Sequence, residues 1–451
     1  MAVARKGLPG LTAQIKDRLI QQALERRLRQ AAQDSDLKPP TGAALAAEST
    51  PEQHWRFDLH PGYQQLRIIT EGAARLEIDS PFFMLHEGIA GACTRIGGRE
   101  YINFASYNYL GLSGHAEVCE AAKQAIDRFG TSVSASRLVA GERSVHRELE
   151  QAIAAAYGSQ SAVTFVSGHA TNVTTIGYLF GARDLIVHDE LVHNSVLQGI
   201  GLAGARRLPF SHNDWAALDS LLAEQRAHFQ RVLIVLEGIY SMDGDYPDLP
   251  RFIDIKRKYR AFLMIDEAHS FGVMGNSGLG IREHFGVDSS DVDIWMGTLS
   301  KALAGCGGYV AGESALVEHL RYLAPGFLYS VGMPPPVAAA SLAALRCLQR
   351  EPQRVRTLQA RGQLFLALAR AAGIDTGTSA GLAVIPAITG GSVRAARLAA
   401  ALFARGINVQ PIVYPAVPEK AARLRFFVSC EHSEEQIRET VSALAAELQR
   451  L

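Results

Sequence analysis

Between residues 115 and 335, short runs of β-branched and large apolar residues alternate with helical stretches. The runs are Ala162-Val-Thr-Phe-Val166, Leu185-Ile-Val187, Val232-Leu-Ile-Val-Leu236, Phe262-Leu-Met-Ile265 and Ile294-Trp-Met296. A strand with one wet face alternates apolar and polar positions, whereas these runs are continuous. They suit strands buried on both faces, as a mainly parallel central sheet sandwiched by helices requires. The pattern predicts an α/β doubly wound large domain over 115–335, preceded by an N-terminal segment over 61–114. After Pro334-Pro335-Pro336 comes an Ala/Leu/Arg-rich helical region. An apolar run at 382–388, a helix through Ala404, runs at 407–412 and 424–428, and a closing helix follow. That order predicts a small C-terminal α+β domain over 336–451.

Residues 1–60 read differently. Leu8, Leu11, Ile15, Leu19, Leu24 and Leu28 recur at near-helical spacing, and a Pro/Ala/Thr/Ser-rich stretch around 39–51 follows, so the segment reads as a helix and then a linker. From Met1 to Gln33 there are seven Lys/Arg against two Asp/Glu, which makes the polar face basic. Three readings fit it: a solvated helix packed on the body or on a dimer mate, a docking helix for an acidic partner, or a transit peptide.

Composition narrows the classes. A chain of 451 residues, 48% apolar and 20% charged, can bury a sizeable core in two or three domains. Lys plus Arg equal Asp plus Glu at 45 each, which gives no reason to expect nucleic acid or a membrane surface as a partner. Cys93, Cys119, Cys306, Cys347 and Cys430 are far apart and form no metal spacing, so the expectation is a reducing cytoplasm and no structural metal. No apolar run approaches the roughly 18 to 20 residues that span a bilayer, and residues 1–33 lack the continuous apolar core of a secretory signal, so none is expected.

In an α/β sheet ligands gather where strands end. Four strand ends carry candidate chemistry. Asp266, with Glu267, Ala268 and His269, closes the run 262–265; a strand-end aspartate also serves as a helix N-cap. Thr298-Leu-Ser300-Lys301 follows the run 294–296 and precedes Gly305-Cys-Gly307-Gly308. A free ammonium hemmed in by apolar residues and glycines is costly, a Schiff base removes that difficulty, and a buried salt-bridged lysine fits equally when taken alone. Ser167-Gly168-His169 leads from a strand into a helix whose free N–H groups suit a phosphate, or simply makes a turn. His193 follows the run 185–187, as a flat imidazole for an aromatic ring or as a satisfied core histidine. Together they supply an imine lysine, an acid for a pyridinium nitrogen, a phosphate cradle and a stacking ring, the parts of a pyridoxal 5'-phosphate (PLP) site.

From about Phe83 onward the chain resembles the α-oxoamine synthases, a family of fold-type-I PLP enzymes. The motifs are Asn103-Phe-Ala-Ser-Tyr-Asn108-Tyr-Leu-Gly-Leu112, Gly130-Thr-Ser-Val-Ser-Ala-Ser136-Arg137, Gly141-Glu-Arg-Ser-Val-His146, Leu236-Glu237-Gly-Ile-Tyr-Ser241-Met-Asp-Gly244-Asp245, Asp266-Glu-Ala-His269-Ser270 and Thr298-Leu-Ser-Lys301. The resemblance implies that Lys301 is the Schiff-base lysine and Asp266 the partner of the pyridinium nitrogen. It makes His193 the ring-stacking histidine and places His269 near the phenolic oxygen. Ser167, Gly168, His169, Thr298 and, from the other subunit, Ser330 become cofactor contacts. Arg425, seven residues before His432, binds the amino-acid carboxylate, and Asn108 contacts substrate. Position 169 is usually a bulkier aromatic in the family, so only its backbone contact carries over.

The implied reaction is a decarboxylating Claisen-type condensation of an amino acid with an acyl thioester, in a homodimer with its active site at the subunit interface. The resemblance leans towards polyketide-associated members and an acyl carrier protein donor over CoA. Ser136, where glycine-restricted members carry a bulkier threonine, favours alanine or serine over glycine. A fold-type-I aminotransferase or amino-acid decarboxylase is the alternative. A catalytically silent subunit is expected to lack the lysine, which is present.

Overall fold

The computed structural model describes residues 50–76 and 78–451. The helix expected over Leu8 to Leu28 and most of its linker lie outside the described residues. All five apolar runs become strands of one seven-stranded sheet. Its spatial order is Ser161–Phe165, Gly308–Gly312, Ile294–Thr298, Phe262–Asp266, Val232–Glu237, Leu185–Asp189 and Arg206–Phe210. Every pairing is parallel except the two made by Gly308–Gly312.

Successive side chains of a strand point to opposite faces, and both faces here are apolar. Leu185, Val187, Ile234, Leu236, Leu263, Ile265 and Trp295 enter one core cluster. Their neighbours Ile186, Leu233, Val235, Met264, Ile294 and Met296 enter a second. The first is closed by helices Ser144–Tyr157, Leu249–Tyr259 and Pro335–Arg350, and the second by Gly168–Leu179, Asn194–Ala203 and Ser314–Leu323. Trp295, wholly buried, satisfies its indole N–H on the Ser289 carbonyl at 2.9 Å.

Two strands of this sheet escape the hydrophobic pattern. Arg206–Phe210 is an edge strand with exposed arginines and Pro209, a composition that an edge tolerates and a central strand does not. Gly308–Gly312 begins and ends in glycine for a packing reason. A Cβ on Gly308 would sit 2.7 Å from the Gly168 Cα and 2.4 Å from Thr171 Oγ1, so the strand and the start of helix Gly168–Leu179 touch backbone to backbone.

The remaining strands form two small sheets. Val384–Ile388, Arg423–Phe427 and Gln410–Ile412 pair antiparallel, with Arg423–Phe427 in the centre. The hairpin Cys93–Ile96 and Arg99–Asn103 pairs with Ile407–Asn408. The run expected over 407–412 is therefore two short strands in different sheets. The segment 61–114 does not stand alone either, because its hairpin is completed by the C-terminal part. His432 fastens the same junction: it stacks on Phe104 at 4.2 Å and bonds Ser429 N and the Asn103 carbonyl. Among the described residues no helix is long and apolar enough to cross a membrane.

Candidate active site

Because six strands of the large sheet run parallel, their C-terminal ends share one edge. Ser167, His193, Glu237, Asp266, Thr298 and Lys301 all lie there, and they line one cavity of about 240 Å³. Gly168, His169, Asn172, Ser195, Ser241, Ala268, His269 and Ser300 complete most of its wall.

Lys301 follows strand Ile294–Thr298. Burial lowers its pKa to about 8; Asp266 and Glu237 oppose that shift and the Arg425 guanidinium reinforces it. Its Nζ sits 5.6 Å from the centre of the Tyr107 ring. Such an amine is partly unprotonated near neutral pH, the form that attacks a carbonyl.

Asp266 ends its strand with both oxygens occupied: Oδ2 accepts from Asn172 Nδ2 at 2.8 Å and Oδ1 from the Ala268 N–H at 2.9 Å. The capping role open to a strand-end aspartate thus takes one oxygen only. The same Asn172 amide donates to Ser195 Oγ at 2.9 Å, and that hydroxyl lies 2.8 Å from His193 Nδ1. Ser195 N–H also points at Nδ1, at 3.2 Å, so Nδ1 is the acceptor and the ring proton resides on Nε2. Burial keeps the His193 pKa below its ordinary value. A neutral, oriented ring and a fixed carboxylate are therefore tied by one hydrogen-bonded chain through Ser195 and Asn172.

The anion end of the cavity is the N-terminus of helix Gly168–Leu179, where Ser167 caps the Ala170 N–H at 3.0 Å. A Cβ on residue 168 would meet Thr298 Oγ1 at 2.9 Å, so glycine is what allows the threonine hydroxyl to stand beside the helix start. Free N–H groups, the positive end of the helix dipole and hydroxyls from Thr298 and Ser300 could hold a phosphate.

His269 is buried, with Nδ1 2.8 Å from the Tyr109 hydroxyl, and burial holds its pKa well below the ordinary value. Arg425, on the central strand of the small sheet, faces the same region. Its Nη1 donates to the Ser241 carbonyl at 3.1 Å, its plane stacks 4.5 Å over Phe427, and its buried Nε has no partner. Beside the cavity, His212 bridges Asp189 and Asp245 at 2.9 Å each. Burial alone lowers its pKa, but hydrogen bonds to the two carboxylates raise it to about 10.

Arg425 does not itself line the cavity, and two further expected residues fall elsewhere. Asn108 spends its amide on backbone: Nδ2 donates to the Ala90 carbonyl at 2.7 Å, and Oδ1 accepts from Leu112 and Ser113 N–H groups. Its side chain shapes the loop, and the neighbouring Tyr107 is the residue that reaches Lys301. Ser330 lines a separate hollow with Arg137, Phe165 and Phe327. Sequence reasoning assigned no role to Asn172, Ser195, Glu237, Ser241 or Tyr107. Glu237 closes an apolar run as Asp266 does and pairs with it in register, so the strand-end rule could have found it. Asn172, four residues after Gly168, carried no signal of its own.

The donor set fits a phosphorylated pyridine aldehyde: an amine near pKa 8, a fixed carboxylate, a flat imidazole and a glycine-lined phosphate cradle converge on one cavity.

Comparison with known proteins agrees. Residues 99–444 match the model for the class I and II aminotransferases. The chain is 37% identical to 8-amino-7-oxononanoate synthase of Fervidobacterium nodosum, over 78% of this chain and 89% of that protein. It superimposes on a serine palmitoyltransferase of Sphingomonas wittichii with a TM-score of 0.82 at 29% identity, covering 86% of this chain and 97% of the other. A serine palmitoyltransferase of S. paucimobilis solved with bound PLP and myriocin gives 0.84 at 27% identity, over 87% and 100% of the two chains.

Proposed function

We propose that this chain, which belongs to the class I and II aminotransferase family and within it to the PLP-dependent α-oxoamine synthases, joins an amino acid to an acyl thioester. Carbon dioxide and a free thiol leave, and an α-aminoketone remains. The observation that carries this reading is the convergence of Lys301, Asp266 and His193 on one cavity, with Arg425 held on the carbonyl of the cavity residue Ser241 and its Nε without a partner.

PLP bound there supplies an electron sink for the charge left when the amino acid loses its α-proton. Asp266 keeps a proton on the pyridine nitrogen, because a fixed carboxylate beside it favours the charged form. Asn172 and the Ala268 N–H hold that carboxylate in place. His193, oriented by Ser195, would cover one face of the ring. Gly168, His169 through its backbone, Ser167 and Thr298 hold the phosphate, with Ser330 arriving from the second subunit. Arg425 fixes the amino-acid carboxylate by a charge-assisted pair. The Lys301 amine would anchor the cofactor and, when free, would take the α-proton; a pKa near 8 equips it to accept and return a proton at neutral pH. His269, held by Tyr109, would meet the ring hydroxyl.

The homodimer is supported by exposed apolar residues around the Ser330 loop, Tyr329 and Val331, and on Val139. Alanine or serine is the favoured amino acid, and an acyl carrier protein the favoured donor, with the basic segment 1–33 as its dock in a cytoplasmic enzyme. Purified protein is to be incubated with a panel of amino acids against acyl-CoA and acyl carrier protein donors, and the products weighed by mass spectrometry. An α-aminoketone from any pair supports the reading. Amino-group transfer or simple decarboxylation without acyl incorporation refutes it.

A further inference from the structure

The motifs at 130–137 and 141–146 take no part in the site described so far, yet both lie against one loop. Residues 327–333 lead from the short helix Pro325–Leu328 into helix Pro335–Arg350. The two feet of this loop are buried, Phe327 at one end and Gly332 with Met333 at the other, while its tip is open: Tyr329 is 88% exposed and Val331 50%. Ser330 stands between those two. Each foot is gripped by a motif residue. Gly332 N–H donates to the Ala135 carbonyl at 3.0 Å. The His146 ring accepts the Arg143 N–H at Nδ1, so its proton is on Nε2, which donates to the Met333 carbonyl at 2.8 Å. The Arg137 guanidinium lies over the Phe327 ring, 5.5 Å from its centre. A Cβ on residue 332 would meet Arg137 Cγ and Val133 Cγ2 at 2.9 Å each, so glycine is what lets the loop close on the arginine.

Arg137 is itself fixed. Its side chain is 4% exposed and forks onto two acids, Glu142 through Nε at 2.6 Å and Glu150 through Nη2 at 3.1 Å. Glu150 in turn accepts the Thr164 N–H at 2.7 Å, and Thr164 lies on strand Ser161–Phe165, which leads into Ser167 and Gly168. One guanidinium thus ties the loop that carries Ser330 to the strand that ends at the anion site. Apolar packing would bury a loop foot as well as an ion pair does, but a planar fork also sets a direction. We propose that Arg137 is a positioning residue for phosphate binding: stacked on Phe327, it holds the loop so that Ser330 presents its hydroxyl to the cofactor phosphate. The inference rests on the PLP reading and on the Ser330 contact within it, and goes beyond both in naming what orients that hydroxyl. Arg137 does not line the cofactor cavity, so its effect passes through Ser330.

The test measures the affinity of full-length protein, stripped of cofactor, for PLP and for pyridoxal, which lacks the phosphate, by fluorescence titration. Arg137→Lys keeps the charge and loses the planar fork. Phe327→Leu keeps an apolar side chain, loses the aromatic face and leaves both ion pairs in place. Each is made alone and combined with Ser330→Ala. Ser330→Ala is expected to weaken PLP about tenfold, the size of one hydrogen bond to a charged group. Arg137→Lys should weaken it about fivefold and Phe327→Leu about threefold, with pyridoxal within about twofold of wild type throughout. In the Ser330→Ala background neither substitution should weaken PLP further, because the hydroxyl they orient is gone. Equal losses for PLP and pyridoxal would show a role in the fold alone and overturn the proposal. So would losses that add to that of Ser330→Ala, or PLP binding unchanged in both variants. Where Arg137→Lys does not fold, Phe327→Leu decides by the same criteria. Ser330→Ala with unchanged PLP affinity would overturn the Ser330 contact and this proposal with it, and wild-type protein that binds no PLP would overturn the PLP reading itself.

Discussion

Replacing Lys301 by methionine should abolish activity and stabilise the cofactor-free protein. Burial holds the amine's pKa at about 8, against an ordinary 10.5. At about 1.36 kcal/mol per unit, keeping it charged in the fold costs roughly 3 kcal/mol. Lys301 keeps part of its surface open to the cavity, so the realised cost is about 2 kcal/mol. The pH window follows from the two values. Below pH 8 both states carry the proton and the whole cost is present. Between 8 and 10.5 the folded state releases it first and the cost fades; above 10.5 it is gone. Urea unfolding of the two apoproteins at one protomer concentration should therefore show Lys301→Met about 2 kcal/mol more stable at pH 7, with the gap closing by about pH 10.5. Equal stability at pH 7, or a gap that widens with pH, would refute the placement of a strained, functional amine at this strand end.

Other consequences follow from the same geometry. Arg425→Ala should raise KM for the amino acid about 100-fold while changing kcat less, since it removes a charge-assisted carboxylate contact made in the ground state; steady-state kinetics with varied amino acid checks it. Asn172→Ala breaks the chain from His193 to Asp266 and leaves Ser195 Oγ and Asp266 Oδ2 short of a donor, so stability should fall by about 2 kcal/mol and cofactor affinity about tenfold, by unfolding and by titration. His212→Asn should cost about 2 kcal/mol at pH 7, discounted for partial exposure. Because its folded pKa is raised, to about 10, this stabilisation is fully present below pH 6.5 and disappears as pH rises through 10, so the gap to wild type should close there.

The sequence revealed the large sheet because strands buried on both faces need uninterrupted apolar runs, and 162–166, 185–187, 232–236, 262–265 and 294–296 have them. Gly308–Gly312 was hidden because its glycines answer to the backbone of Gly168, a contact across the fold that no local pattern encodes. Arg206–Phe210 was hidden by its edge position, and the hairpin at 93–103 by its partner some 300 residues away. At the site, Asp266, His193, Lys301 and Ser167-Gly168 were legible because each is a polar residue directly after an apolar run. Asn172 and Ser195 lie inside helices and act through other side chains, which spacing cannot show. The motif around Asn108 was visible, but whether its amide turns to substrate or to its own loop depends on the Ala90 carbonyl, 18 residues upstream.

The central claim is that one cavity couples an amino acid to an acyl thioester with loss of carbon dioxide. The direct measurement is the stoichiometry of thiol and carbon dioxide released by the holoenzyme with and without amino acid. The structure and family predict equal amounts of both, each dependent on the amino acid and absent in Lys301→Met. Thiol released without amino acid, or carbon dioxide released without acyl thioester, would contradict it.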